Sequence, residues 1–125
     1  PRHGGSIINV ASIAGLGGNP SGMKTLAYNT SKAAVHHLSA CLHGEEGENG
    51  IRAMVLSPGT VATEMQRVIK KSGVNPVSNL EWEDHRPPET IANTLVWMCT
   101  PDADAYRGQV VKQSDPEILN RLGQK

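Results

Sequence analysis

Short apolar runs that alternate with helical stretches constrain the fold of this chain most. Residues 6–11 are apolar and rich in β-branched side chains, which favours a buried strand. No glycine or proline interrupts residues 26–43, which predicts one long helix. Its apolar residues recur at helical spacing, which supports the helix: Ala27, Ala34, Val35, Leu38, Cys41 and Leu42. A second apolar run, residues 51–56, ends at Ser57-Pro58-Gly59, because proline cannot continue a central strand.

The second half of the chain continues this alternation. Thr60 or Thr63 could cap a helix that runs to about residue 71, and residues 72–88 are a polar, proline-bearing loop. A third helix is predicted over residues 88–98, with Trp97 and Met98 in the core, and a third strand over 108–111. Residues 114–125 are expected to hold one weak helix. This order predicts a parallel sheet with right-handed crossovers.

Composition excludes several classes of function. The 125 residues suffice for one domain, and 12 basic residues balance 12 acidic ones, which argues against a nucleic-acid partner. No apolar run approaches the roughly 18–20 residues of a membrane span, so no membrane partner is expected. Two cysteines do not make a disulfide framework and fit a reducing, cytoplasmic location.

Tyr28 and Lys32 are four residues apart on the long helix, so both side chains lie on one face. A tyrosine hydroxyl titrates near about pH 10, and a neighbouring ammonium favours the phenolate. A Tyr-x-x-x-Lys pair can therefore serve as a general acid/base unit, although any helix can carry such a pair by chance. Ser12 follows the first strand, at the sheet edge where open α/β folds bind ligands. The Pro58-Gly59 turn follows the second strand at the same edge, so these groups are expected to converge.

Three ordered motifs, spread from about residue 4 to residue 111, resemble the short-chain dehydrogenase/reductase family. They are Asn9-Val10-Ala11-Ser12-Ile13-Ala14-Gly15, Tyr28-Asn29-Thr30-Ser31-Lys32, and Gly50-Ile51-Arg52 leading into Ser57-Pro58-Gly59-Thr60-Val61-Ala62-Thr63. The resemblance implies an α/β fold with a Rossmann-like, doubly wound parallel sheet. It also implies an oxidoreductase that interconverts an alcohol and a ketone with NAD or NADP, which the sequence does not distinguish.

The resemblance implies a role for each matching residue. Tyr28 would be the general acid/base, Lys32 would favour its phenolate and bind the nicotinamide ribose, and Ser12 would polarise the substrate carbonyl. The Pro58-Gly59 turn, the Val61 backbone and the Thr63 hydroxyl would hold the nicotinamide carboxamide. The family's partners are small-molecule alcohols and ketones. By analogy alone, the outer face of the long helix around His36 and Ser39 is a candidate interface of a homo-oligomer.

The chain departs from the family pattern before its first strand. The Gly-rich nucleotide turn is missing, and Gly15-Leu16-Gly17-Gly18-Asn19-Pro20 does not replace it, because Pro20 stands where the third glycine belongs. We therefore expect residues 1–125 to be the carboxyl-terminal part of a single domain, with about three strands and their flanking helices. The first strand would then present an open edge and make the isolated chain poorly soluble or partly unfolded.

Other readings of the sequence remain. The chain could be a non-catalytic, truncated or pseudo-enzyme product that acts only by pairing with another protein. A serine hydrolase is disfavoured, because Ser12 lacks the Gly-x-Ser-x-Gly elbow. His37 and Cys41 could share a metal, but no second ligand pair accompanies them, so no metal site is predicted. Trp82, in the polar loop, could contact substrate or anchor the loop.

Overall fold

The computed structural model describes residues 3–17 and 24–125. Three strands and four helices alternate in the predicted order: β1 (Gly5–Val10), α1 (Leu26–Glu46), β2 (Ile51–Ser57), α2 (Glu64–Ser72), α3 (Pro88–Met98), β3 (Val110–Lys112) and α4 (Pro116–Arg121). Short 3-10 turns at Pro76–Asn79 and Trp82–Asp84 interrupt the predicted loop between α2 and α3. The sequence also predicts a loop over residues 15–22, where glycine and proline are dense, but this segment lies largely outside the described residues. Within the described ranges, no helix is both long and apolar enough to span a membrane.

The sheet is parallel throughout, with the strand order β1-β2-β3. Gly5 of β1 pairs with Ile51 of β2, and Val10 pairs with Leu56, so the two strands end at the same edge. On the other side of β2, Leu56 pairs with Val111. The central strand β2 is buried from Ala53 to Ser57, as its continuous apolar run predicts.

The hydrophobic core lies between the sheet and the second half of the chain. Met54 and Leu56 of β2 pack in one cluster with residues of α3, the 3-10 turn after it (Pro101–Tyr106), β3 and α4: Ile91, Trp97, Met98, Ala103, Val111 and Ile118. This confirms Trp97 and Met98 as core residues. Successive side chains of a strand alternate between its two faces. Met54 and Leu56 face the core cluster, so the other buried residues of β2 face the opposite side, where α1 packs: Ala53, Val55 and Ser57.

The inward face of α1 differs from the prediction. Leu38 is 53% exposed, and Ala27 and Ala34 are exposed as well. Ser39, expected on an outer face, is only 1% exposed, because its hydroxyl accepts a hydrogen bond from Asn9 Nδ2 at 2.8 Å. His36 is half-buried against the segment after β1. His36 and Ser39 therefore do not form the outer face that was expected, since both side chains bond to the β1 segment. The homo-oligomer stays a prediction.

Strand β1 is the exposed member of the sheet. Among the described residues no strand pairs with its outer edge, and Ile7 and Val10 are 39% and 44% exposed. This agrees with the expectation of an open edge on the first strand. The effect of that edge on solubility stays a prediction.

Candidate active site

Two strand ends build one rim at the carboxyl edge of the sheet. Ser12 lies two residues after β1, half-buried, and its hydroxyl accepts a hydrogen bond from the Ala14 backbone N–H at 3.2 Å. This contact caps a short 3-10 turn over Ile13–Gly15. The turn after β2 places Gly59 at a φ of 73°, a conformation that favours glycine.

Helix α1 brings Tyr28 and Lys32 to the same rim. Lys32 Nζ lies 5.7 Å from the centroid of the Tyr28 ring, as expected for side chains one helical turn apart. The Lys32 ammonium also donates a hydrogen bond to the Val10 carbonyl at 3.2 Å, which ties the helix to the end of β1. Tyr28 is 39% exposed, so its hydroxyl is accessible to a ligand.

A cavity of about 440 Å³ joins these elements. Ser12, Tyr28 and Gly59 line it together, so the structure places the predicted serine, tyrosine and turn around one space. Helix α2 and the loop after it supply much of the remaining wall: Met65, Gln66, Ile69, Asn75 and Val77. No charged side chain is found among the described residues of this lining. The cavity is therefore suited to an uncharged group with both apolar surface and hydrogen-bonding atoms.

The residues of the turn after β2 divide into two sets. Gly59 and Thr60 line the cavity, whereas Pro58, Val61 and Thr63 do not. Val61 pairs with Arg86 in an isolated bridge and packs against the core cluster. Thr63 occupies the position before α2, but its hydroxyl makes no capping hydrogen bond to the helix. The Thr63 hydroxyl therefore does not cap α2.

Two residues that support the rim were not singled out as such from the sequence. His36 Nε2 lies 2.8 Å from the Ser12 carbonyl oxygen, one turn beyond Lys32 on α1. Gly15 packs against the backbone of α1 so closely that an added Cβ would lie 2.5 Å from the Ala33 nitrogen. The i, i+4 spacing of Lys32 and His36 was visible in the sequence, but their acceptors on the β1 segment were not.

Trp82 anchors its loop instead of lining the cavity. The Arg67 guanidinium of α2 stacks on its ring at 4.7 Å, and the His85 ring meets it edge-on at 6.1 Å. A salt bridge between Lys70 and Glu81 joins the same two segments at 2.8 Å. The wall that α2 presents to the cavity is therefore tied to the loop that follows it.

The His37–Cys41 pair does not extend to a larger ligand set. Cys41 Sγ lies 3.6 Å from His37 Nε2 on the exposed side of α1. In the part of the chain that the structure describes, no group of three or more histidine, cysteine, aspartate or glutamate side chains is placed to hold a metal.

Comparison with known proteins gives the class to which this fold and rim belong. Residues 1–73, more than half of the chain, match the sequence model of the short chain dehydrogenase family. Estradiol 17-beta-dehydrogenase 8 of Callithrix jacchus is 32% identical over 105 residues, which are 83% of this chain and 76% of that protein. The chain therefore belongs to the short-chain dehydrogenase/reductase family.

Two further relatives agree in fold but are longer. The 7alpha-hydroxysteroid dehydrogenase of Escherichia coli K12 is 30% identical over 117 residues, which cover 89% of this chain and 43% of that enzyme. A solved 7 alpha-hydroxysteroid dehydrogenase with NADH and 7-oxo glycochenodeoxycholic acid superimposes with a TM-score of 0.66 at 28% identity, covering 87% of this chain and 42% of that one. The Rossmann-like α/β class is confirmed, and the chain spans about two fifths of these two relatives.

Proposed function

We propose that this protein takes part in NAD(P)-dependent interconversion of an alcohol and a ketone, with Tyr28 as the general acid/base. One observation carries the proposal: Ser12 and Tyr28 line a single uncharged cavity, and Lys32 lies one turn beyond Tyr28 on the same helix. Membership of the family and the NADH held by the similar hydroxysteroid dehydrogenase support it.

Each residue of the rim has a separate task in the proposal. The Tyr28 hydroxyl gives a proton to the carbonyl oxygen in reduction and takes it back in oxidation. The Ser12 hydroxyl donates a hydrogen bond that orients and polarises the same oxygen. The Lys32 ammonium, already held by the Val10 carbonyl, lies beside the Tyr28 ring and binds the nicotinamide ribose.

The residues present fit a nicotinamide ring. Gly59 and Thr60 lie on the described lining of the cavity, which holds no charged side chain and is compatible with a neutral amide, and the Thr63 hydroxyl does not cap α2. We propose that Pro58, Gly59, the Val61 backbone and Thr63 hold the carboxamide. When bound, the cofactor supplies the hydride, whereas the protein positions the substrate and manages the proton.

The proposal extends to organisation and partners. Residues 1–125 would form the carboxyl-terminal part of a single domain, in line with the share of the hydroxysteroid dehydrogenases that the chain spans. The partner would be a small-molecule alcohol or ketone, and a homo-oligomer and a cytoplasmic location complete the proposal. Cys41 and Cys99 are both free thiols, which suits a reducing compartment.

A non-catalytic role in protein pairing is the second candidate. Among the residues that the structure describes, no strand pairs with the outer edge of β1, and Ile7 and Val10 are partly exposed there. This favours the pairing role, because such an edge can accept another strand. Binding of a dinucleotide separates the two candidates, since pairing through β1 does not need the rim.

The experiment is a titration of the protein with NADH and NADPH, followed by energy transfer from Trp82 and Trp97, with circular dichroism as the check on folding. Saturable binding that weakens in Lys32→Ala supports the proposal. Turnover is then measured with a panel of alcohols that includes 7α-hydroxy and 17β-hydroxy steroids, the groups named by the relatives.

Tyr28→Phe removes the acid/base and leaves the ring. We expect kcat to fall by about 10²–10⁴-fold with dinucleotide binding kept, because general acid/base groups contribute on that scale. Tyr106→Phe is the matched control: Tyr106 packs edge-on against Trp97 beside the core, with ring centroids 5.6 Å apart. Equal kcat values for Tyr28→Phe and the unaltered protein would remove Tyr28 from the mechanism.

A further inference from the structure

We propose that His36 is a positioning residue for Ser12: its ring N–H holds the Ser12 carbonyl and thereby sets where the Ser12 hydroxyl enters the cavity. The inference deepens the proposed function, because it explains how one of the proposed substrate-binding groups is oriented. His36 does not line the cavity, so it acts through Ser12 and not on a ligand.

The hydrogen bond also defines which nitrogen of the His36 imidazole carries a proton. His36 Nε2 lies 2.8 Å from the Ser12 carbonyl oxygen. A carbonyl oxygen can only accept, so Nε2 must carry the proton. The other ring nitrogen, Nδ1, is buried and has no partner among the described residues. In the neutral Nε2–H tautomer, Nδ1 is a bare acceptor, so no buried N–H is left without a partner.

Two successive turns of α1 donate hydrogen bonds to the end of β1 and the residues after it. The Lys32 ammonium donates to the Val10 carbonyl at 3.2 Å, and His36, one turn later, donates to the Ser12 carbonyl. Tyr28 lies one turn before Lys32 on the same face. Tyr28, the proposed acid/base, and Ser12, the proposed substrate-orienting residue, are therefore held in a fixed relative position. The two hydrogen bonds that hold them come from the same helix.

The Ser12 carbonyl depends on His36 for its connection to α1. Its second hydrogen bond, from the Gly15 backbone N–H at 3.0 Å, stays inside the same short turn. The Ser12 hydroxyl is engaged in that turn too, through the Ala14 N–H. The turn thus has a defined internal shape, and His36 ties this carbonyl to the helix that carries Tyr28.

His37 is a matched control because it is the next residue on the helix. It is exposed, and its ring contacts Cys41 Sγ at 3.6 Å instead of the β1 segment. Replacement of either histidine by leucine removes one imidazole from the same helix. A general effect of losing a histidine from α1 would appear in both variants, whereas an effect on Ser12 would appear only at position 36.

The test compares His36→Leu, His36→Gln and His37→Leu by kcat, KM and the ¹³C shift of the Ser12 carbonyl. We expect His36→Leu to lower kcat by about 10- to 100-fold with a smaller change in KM, because misplaced reacting groups cost rate on that scale. The glutamine amide also offers an N–H donor, so His36→Gln should recover most of that loss. His37→Leu should leave all three quantities unchanged. Helix destabilisation alone would not be reversed selectively by glutamine.

Two readouts do not need turnover. Long-range ¹⁵N–¹H spectra of the unaltered protein should show His36 as the Nε2–H tautomer, and the Ser12 carbonyl shift should move in His36→Leu but not in His37→Leu. If these hold and no alcohol is turned over, the proposed function fails and the hydrogen bond stands. An Nδ1–H tautomer, an unmoved Ser12 carbonyl or an unchanged kcat in an active protein would overturn the proposal. The tautomer is read on the unaltered protein, so this test holds even if His36→Leu does not fold.

Discussion

The two faces of the sheet are built from different kinds of contact. Toward α3 and α4, the sheet buries Met54, Leu56 and Val111 in an apolar cluster. Toward α1, the described contacts include hydrogen bonds at three places along β1 and the residues after it: at Asn9, at the Val10 carbonyl and at the Ser12 carbonyl. One face is held mainly by apolar packing, whereas on the other the packing of α1 against β2 is joined by directed polar bonds.

The difference separates stability from positioning. Apolar burial is non-directional and scales with area, so the α3 face can supply much of the folding free energy without specifying the place of any one atom. Hydrogen bonds contribute less net free energy but specify distance and angle. The α1 face carries Tyr28 and Lys32, and its polar bonds fix that helix relative to Ser12.

The largest expected effect on stability tests the α3 face. Leu56→Ala removes a fully buried side chain from the core cluster, and we expect a loss of about 2–5 kcal/mol in the free energy of unfolding. Ser39→Ala, on the α1 face, loses its hydrogen bond with Asn9 and should cost about 1–2 kcal/mol. Urea denaturation of both variants measures the two values.

The ratio of these two losses decides whether the comparison holds. Both positions are buried, so differences in burial do not explain a difference in cost. A loss in Ser39→Ala as large as that in Leu56→Ala would mean that the polar face carries as much folding free energy as the apolar one.

A specific effect on the rim is expected for Gly15→Ala. An added Cβ would lie 2.5 Å from backbone atoms of Lys32 and Ala33, so the turn after β1 must move away from α1. We expect kcat to fall by at least about tenfold, because Ser12 and Tyr28 would then be misaligned. Steady-state kinetics with a substrate found in the alcohol panel measures it.

Gly5→Ala is the control for that change. An added Cβ at Gly5 meets nothing within 4 Å, although Gly5 belongs to the strand that leads to the same turn. Its kcat should match that of the unaltered protein. Full activity in Gly15→Ala would show that the approach of the turn to α1 does not position the rim.

The sequence predicted the α3 face better than the α1 face. Strand β2 and helix α3 were predicted within one residue of their observed bounds, because continuous apolar runs and flanking prolines are strong local signals. On α1 the expected outer face around Ser39 was wrong, since Ser39 is buried while Leu38 beside it is exposed. Which polar residue finds a partner depends on the strand opposite, and hydrophobic periodicity carries no information about it.

The candidate site shows the same limit. Ser12, Tyr28 and Gly59 were expected at one rim from the topology, and the structure places all three on one cavity. The contribution of Gln66 to the wall was not predicted, because it depends on how α2 folds back over the rim. The roles of Lys32, Pro58, Val61 and Thr63 toward a cofactor stay predictions.

The smallest expected effect concerns a polar anchor at the amino end of β2. The Arg52 guanidinium bonds to the Asp104 carboxylate at 2.6 Å and to the Thr100 carbonyl at 2.7 Å, just beyond the end of α3. Partial desolvation raises the pKa of Asp104, but hydrogen bonds and charge from Arg52 and Arg107 outweigh it and hold the pKa below its ordinary value.

A carboxyl group with a lowered folded-state pKa stabilises the protein above its unfolded pKa, near about 4, and loses that contribution as the pH falls through the folded value. Asp104→Asn should therefore lower the Tm modestly at neutral pH, and its difference from the unaltered protein should shrink in acid. Asp102→Asn is the control, since Asp102 is exposed in the same turn. A Tm difference for Asp104→Asn that stays constant from neutral to acidic pH would assign its effect to lost packing instead of charge. The charge of Asp104 would then add no measurable stability to the apolar face. The contrast between the apolar face and the polar α1 face would be stronger than the hydrogen bonds of Arg52 suggest.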